Sequence, residues 1–153
     1  MRLLFTLLAF LLPGAAFAQA NMALDSQILV ERIATGPDGK SRAALEAPKV
    51  VTPGDKLVIA LTYRNDGAEP ITDFVVTNPV PSSVAFAGTE SKDAQFSVDG
   101  GKTWGELAVL KVQSADGTSR GATYADVTHV RWKIAEAIPA GGKGQLSFRG
   151  TVK

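Results

Sequence analysis

Residues 97–104 read SVDGGKTW, and five of these eight can take part in chemistry. Ser97 and Thr103 bring hydroxyls, Asp99 a carboxylate, Trp104 an indole plate, and Gly101 a backbone free of a side chain. A carboxylate between hydroxyls can serve as an acid or base, and an indole plate is a surface on which sugar rings stack. The same residues also have a purely architectural use. In a tight turn Asp99 accepts hydrogen bonds from turn N–H groups, Gly101 takes the left-handed conformation, and Trp104 lies over the strand pair. Elsewhere the chemistry is thin. His129 is the only histidine, so no His-based metal site can form, and no serine or cysteine motif accompanies it. Asp25, Asp38, Asp66, Asp73, Asp93, Asp99, Asp116 and Asp126 fall mostly at turn positions. No Asp-x-Asp-x-Asp spacing supports a calcium loop. Gly141–Gly144, GGKG, lacks the following Ser or Thr of a phosphate loop and reads as a hairpin turn.

The octapeptide resembles the Asp-box of sialidases and related propeller proteins, Ser-x-Asp-x-Gly-x-Thr-Trp, at every defined position. A propeller needs several blades of about 40–50 residues, and this chain has one box and no visible internal repeat. A sialidase site also needs clustered arginines and a Tyr–carboxylate pair. The two tyrosines fall in a strand (Tyr63) and in a loop (Tyr124). The expectation is therefore geometric, with no enzyme, cofactor or metal: Asp99 caps a turn between strands Ala94 to Val98 and Lys102 to Leu107, with Trp104 packed on the hairpin.

The elements that hold this turn read as strands separated by turn chemistry. After Thr52–Asp55, TPGD, the residues Leu57, Ile59, Leu61 and Tyr63 alternate with Val58, Ala60, Thr62 and Arg64 up to the turn Asn65–Gly67. Ile71 to Thr77 is a nearly continuous apolar run, stopped by the prolines of Asn78–Pro81. Val84–Phe86 is a short strand, and Leu107 to Val112 is another candidate. Ser114 to Asp126 is polar and reads as a loop or hairpin tip. Val130, Trp132 and Ile134 alternate with His129, Arg131 and Lys133, and Leu146 to Val152 closes the chain. Ile28 to Ile33 forms the opening strand, followed by the turn GPDGK. Seven to nine short strands with no helix imply an all-β antiparallel sandwich.

Residues 1–20, MRLLFTLLAFLLPGAAFAQA, have one positive residue, an apolar run from Leu3 to Leu12, and small residues before cleavage after Ala18 or Ala20. This is the layout of a secretory signal peptide, and the apolar run is half the roughly 20 residues that span a bilayer. Domain organisation is then residues 1–20 as leader and 21–153 as one domain. With no cysteine, the exported domain rests on its core rather than on disulfides. Once Arg2 is removed, fifteen basic residues balance fifteen acidic ones, a composition without the footprint of a nucleic-acid or anionic-lipid binder.

The frame Val51–Gly88, VTPGDKLVIALTYRNDGAEPITDFVVTNPVPSSVAFAG, resembles the bacterial DUF11 family of surface-protein repeats. The matching residues are Pro53, Gly54, Asp55, Tyr63, Asn65, Gly67, Val75, Pro79 and Pro81, with Asn78 standing where Asp is commoner. The closing stretch VRWKIAEAIPAGGKGQLSFRGTV is similar to the family's second half. The resemblance implies an immunoglobulin-like sandwich in an exported or cell-surface protein without enzymatic activity. The functional expectation is protein–protein contact at the cell envelope, in the periplasm or outside, through loops or a sheet edge. The partner would be an envelope protein or another copy of the chain joined through its N-terminal segment, Asn21 to Thr35, whose simpler use is pairing within its own sheet. A carbohydrate-binding surface around Trp104 is the alternative.

Overall fold

β3 (Lys56–Asn65) is the middle strand of a five-stranded antiparallel sheet, and its two ends are locked by turn chemistry. The computed structural model describes residues 21–153, so the leader read in the first twenty lies outside the described residues. Before β3, Thr52–Asp55 closes a type II turn, with Asp55 N–H donating to Thr52 O at 3.0 Å and Gly54 at φ 92°. The Asp55 carboxylate accepts the Thr52 N–H at 2.9 Å and takes the Arg32 guanidinium in a fork at 2.6 and 3.1 Å. That fork, with the Thr52 bond, holds the carboxyl below its ordinary range.

At the far end Asn65 is fully buried (0 % exposed) and makes the joint. Its Nδ2 donates to the carbonyls of Glu69, Ile138 and Pro139 at 2.8, 3.0 and 3.2 Å, two hydrogens shared among three acceptors. Oδ1 accepts the Gly67 N–H at 2.9 Å, and the backbone pairs with Gly141 and Gly142. One side chain thus ties the end of β3, the following loop and the turn before the last strand. Tyr63 packs against Phe74, centroids 5.7 Å apart and ring planes tilted by 59°.

β3 pairs with β1 (Met22–Thr35) on one side and β10 (Lys143–Val152) on the other. β2 (Ser41–Glu46) extends the sheet beyond β1, and β5 (Val84–Gly88) beyond β10. The second sheet has β9 (His129–Ile134) between β4 (Phe74–Pro79) and β6 (Ala94–Ser97). Five strands face three in an all-β sandwich, within the expected range. β7 (Lys111–Gln113) and β8 (Ser119–Gly121) form a separate two-stranded ribbon. Among the described residues no helix is long and apolar enough to cross a membrane.

The core lies between the sheets, with Val30, Leu57, Ile59, Leu61, Phe86 and Phe148 facing Val76, Ala94, Val130 and Trp132. The alternation read in β9 and β10 puts Val130, Trp132 and Phe148 inside. In β3, however, Val58 and Ala60 on the opposite face are buried too. Arg149, paired with Val58, reaches across β3 to Glu31 at 2.7 Å, so its aliphatic stem passes beside Val58, while Ala60 lies between Ser147 and Gln27 in the ladder.

Several elements depart from the sequence reading. β1 starts six residues before Ile28, and β2 had no signal of its own. The apolar run from Ile71 becomes a strand only at Phe74, since Ile71 makes a single bridge to Ile138, and it continues through Pro79. Leu107 to Val112 divides into a 3-10 turn (Leu107–Val109) and β7. Ser114 to Thr118 turns the β7–β8 hairpin, as the hairpin-tip reading has it, and β8 leads into a second 3-10 turn (Tyr124–Asp126), where Arg120 grips Asp126 at 2.7 and 2.6 Å.

The burial of Asn65 gives a stability test. Asn65→Ala takes the Asn65 partner from the Glu69 carbonyl and the Gly67 N–H, while the Ile138 and Pro139 carbonyls keep the N–H groups of Ile71 and Gly142, and is expected to cost about 2 kcal/mol in urea unfolding. Asn65→Asp, although isosteric, turns a donor into a carboxylate facing those carbonyls and is expected to cost more than the alanine at neutral pH.

Candidate functional site

The SVDGGKTW turn sits at the end of β6, and its five defined residues are brought together as the spacing requires. Ser97 is fully buried; its hydroxyl donates to Asp99 Oδ1 at 2.7 Å and accepts the Gly101 N–H at 2.9 Å. Asp99 then gathers the loop: Oδ1 accepts the N–H groups of Lys102 and Thr103 at 3.1 and 3.0 Å, and Oδ2 accepts the Thr103 hydroxyl at 2.7 Å. Gly101, at φ 88°, presents its carbonyl to the Trp104 indole N–H at 2.9 Å. The side-chain oxygens of Ser97, Asp99 and Thr103 and the Trp104 indole N–H are all spent inside the turn, so the carboxylate that looked available for acid–base work is a capping group. The Thr103 N–H and hydroxyl, the Ser97 hydroxyl and the Lys102 N–H hold it far below the ordinary carboxyl range.

The expected return strand, Lys102 to Leu107, is absent. Only one bridge, Phe96 with Gly105, joins it to β6 before the 3-10 turn begins. Trp104 does pack over the strands as expected. Its half-buried ring carries the Arg131 guanidinium 4.2 Å above its centroid and meets the His129 ring edge-on at 6.2 Å. Arg131 is itself fixed by the Gln95 carbonyl oxygen at 2.7 Å. One face of the indole holds the Arg131 cation and its N–H is bonded to Gly101, so only the other ring face could serve the sugar stacking considered for Trp104. His129 belongs to the same cluster through Thr128, whose hydroxyl donates to Ser97 O and accepts the Gly100 N–H. Among the described residues no three His, Asp or Glu side chains gather as metal ligands.

The frame residues are joints as well. Pro53, Gly54 and Asp55 make the turn before β3, Tyr63 and Asn65 its far end, and Gly67 the bond to Asn65 Oδ1. Pro79 ends β4, and Pro81 accepts the Val84 N–H that starts β5.

A surface that sequence reading described only in part lies on β1. Residues Met22–Val30 pair with β3, and Val30–Thr35 pair with β2 on the opposite edge. The two pairings overlap at Val30 alone. Among the described residues, therefore, no strand covers the second edge of Met22–Leu29. Asn21 O accepts from Asp66, which sets the alternation: odd residues bond to β3, while the N–H and C=O groups of Met22, Leu24, Ser26 and Ile28 point to the open edge. The side chains of these even residues share the face of Val30, which is core. Yet Leu24 and Ile28 are 49 % and 44 % exposed. An apolar cleft of about 220 Å³ opens beside Ile28, lined also by Pro48, Val51, Leu57 and Val84.

Comparison with known proteins returns no match: no family model, no curated protein and no solved structure reaches significance against this chain. The site's chemistry stands on its geometry. Because Asp99, Asp126 and Asp55 are all depressed, their contribution is complete above the unfolded value of about 3.9 and is lost as pH falls toward their folded values. Urea midpoints are expected to hold from neutral pH down to about pH 4 and then fall. Asp99→Ala is expected to lower the neutral midpoint and flatten the acid slope.

Proposed function

We propose that this chain is a non-enzymatic protein exported to the periplasm or cell surface, of the DUF11 kind, that acts by protein–protein contact through the open edge of β1. One observation carries the reading: eight consecutive strand residues with an uncovered backbone edge and apolar side chains left in solvent on the core-facing side. Strand edges are commonly blunted by charge, proline, bulges or brevity, because an unpaired ladder recruits other chains. Met22–Leu29, MALDSQIL, has one charge, no proline and no register shift along its whole pairing with β3. Three of the other four outer strands of the two sheets carry such features. β2 carries Arg42 and Glu46 and runs into Pro48, β4 ends on Pro79, and β6 is four residues long and runs into the Asp99 turn.

Main-chain hydrogen bonds supply affinity in strand addition, and side-chain pockets supply selectivity. The β1 edge has both, the second being the cleft beside Ile28. The leader pattern of residues 1–20 supports export. The placement of Pro53, Gly54, Asp55, Asn65 and Gly67 at sheet joints supports the DUF11 likeness, since a frame of turn residues is what such a repeat needs.

Ser26→Pro is the discriminating variant. It removes an outward N–H while the odd residues keep their bonds to β3. In a pull-down from envelope extract, wild-type protein is expected to retain a specific protein that the Ser26→Pro form loses. Equal retention by both forms would place the contact elsewhere, with the ribbon Lys111–Gly121 the next surface to test.

A further inference from the structure

Deepening the edge reading, on which this inference rests, we propose that the strand received by β1 is β1 of a second copy of this chain, paired antiparallel through Leu24–Ile28 about a twofold axis at Ser26.

The register follows from three constraints. First, only even residues offer outward backbone groups, so even residues must face even residues. Second, Val30 is already held by Glu46 of β2, so pairing stops short of it. Third, Asp25 is the only charge on the segment. Centring the pair on Ser26 meets all three. Leu24 then stands opposite Ile28 of the partner subunit, Ser26 opposite Ser26 of the partner subunit, and Asp25 opposite Gln27 of the partner subunit. Apolar meets apolar, and the carboxylate meets an amide that can donate to it. Centring one residue earlier would also engage Met22, but it would set Asp25 directly against its own copy, a destabilising like-charge pair. Centring one residue later loses Leu24, whose opposite residue would be the occupied Val30.

The result is a continuous sheet through both copies, joined by about six backbone hydrogen bonds. A twofold axis perpendicular to the sheet keeps the even residues of both copies on one face. The exposed Leu24 and Ile28 of each copy therefore form a single apolar stripe, and the two clefts beside Ile28 open toward each other. A self-complementary edge is what an isologous interface requires. β2 makes the contact terminate as a dimer, because beyond Val30 the edge is already filled.

The full chain is expressed, and the exported product is purified and followed by sedimentation velocity across a wide concentration range. A monomer–dimer equilibrium is expected. Ser26→Lys, at an exposed position, sets two ammonium groups face to face and is expected to weaken dimerisation about tenfold or more, with an unchanged thermal melt confirming the fold. The chain has no cysteine, so single thiols report geometry. Ser26→Cys faces its copy across a hydrogen-bonded pair at about 5.5 Å between Cα atoms, within disulfide reach. It is expected to form a covalent dimer on mild oxidation. Ile33→Cys, beside β2, is expected to remain monomeric. A chain that is monomeric at every concentration, or thiols that cross-link equally at both positions, would overturn the proposal. If such a monomer still captures an envelope protein that Ser26→Pro loses, self-pairing falls while the edge reading stands.

Discussion

β1 is shared between two neighbours that lie on opposite edges. β3 holds Met22–Val30, β2 holds Val30–Thr35, and the handover occurs at Val30, the one residue of the strand that belongs to the core cluster. This arrangement sets what the remainder of the sandwich can do. A strand paired on both sides throughout would be closed structure. A strand handed over midway leaves half of each edge without a strand among the described residues: the outer edge of Met22–Leu29, and the shorter β3-side edge of Glu31–Thr35, where Arg32 reaches Asp55. The unequal layers add to this. Three strands cannot cover the inner face of five, and the uncovered part falls on Leu24 and Ile28.

The remainder of the molecule is stiff where this edge needs support. β3, the template for Met22–Leu29, is fixed at one end by the Thr52–Asp55 turn and at the other by buried Asn65. Arg32 ties β1 itself to that first turn through Asp55. Arg149 crosses β3 to reach Glu31. An edge that must accept a strand in one register benefits from a template that cannot slip, because a one-residue slip moves every side chain to the other face.

Much of this was legible in the residues, and the divisions have physical causes. The Asp99 turn could be read because all its bonds are local, so spacing alone encodes them. β3 could be read because Pro53-Gly54 and Asn65-Asp66-Gly67 punctuate it on both sides, and Trp132 and Phe148 because a half-buried strand must alternate. The edge was hidden for the reason that makes it interesting. Asp25-Ser26-Gln27 faces solvent and reads as loop, so the strand was expected to begin at Ile28. β2, SRAALE, has no β-branched residue and is a strand only because the turn before it delivers it to β1. Val58 is flanked by an arginine ninety-one residues further on, a pairing that no local pattern contains.

The measurement that bears most directly on the central claim is amide hydrogen exchange along β1, resolved by residue and followed with concentration. The open edge requires an alternating pattern in dilute protein: Ala23, Asp25, Gln27 and Leu29 protected by β3, and Met22, Leu24, Ser26 and Ile28 exchanging fast. As the protein is concentrated, Leu24, Ser26 and Ile28 are expected to become protected while Met22 stays fast. Uniform protection along β1 in the dilute chain, or an alternation unmoved by concentration, would contradict an open edge that pairs with its own copy.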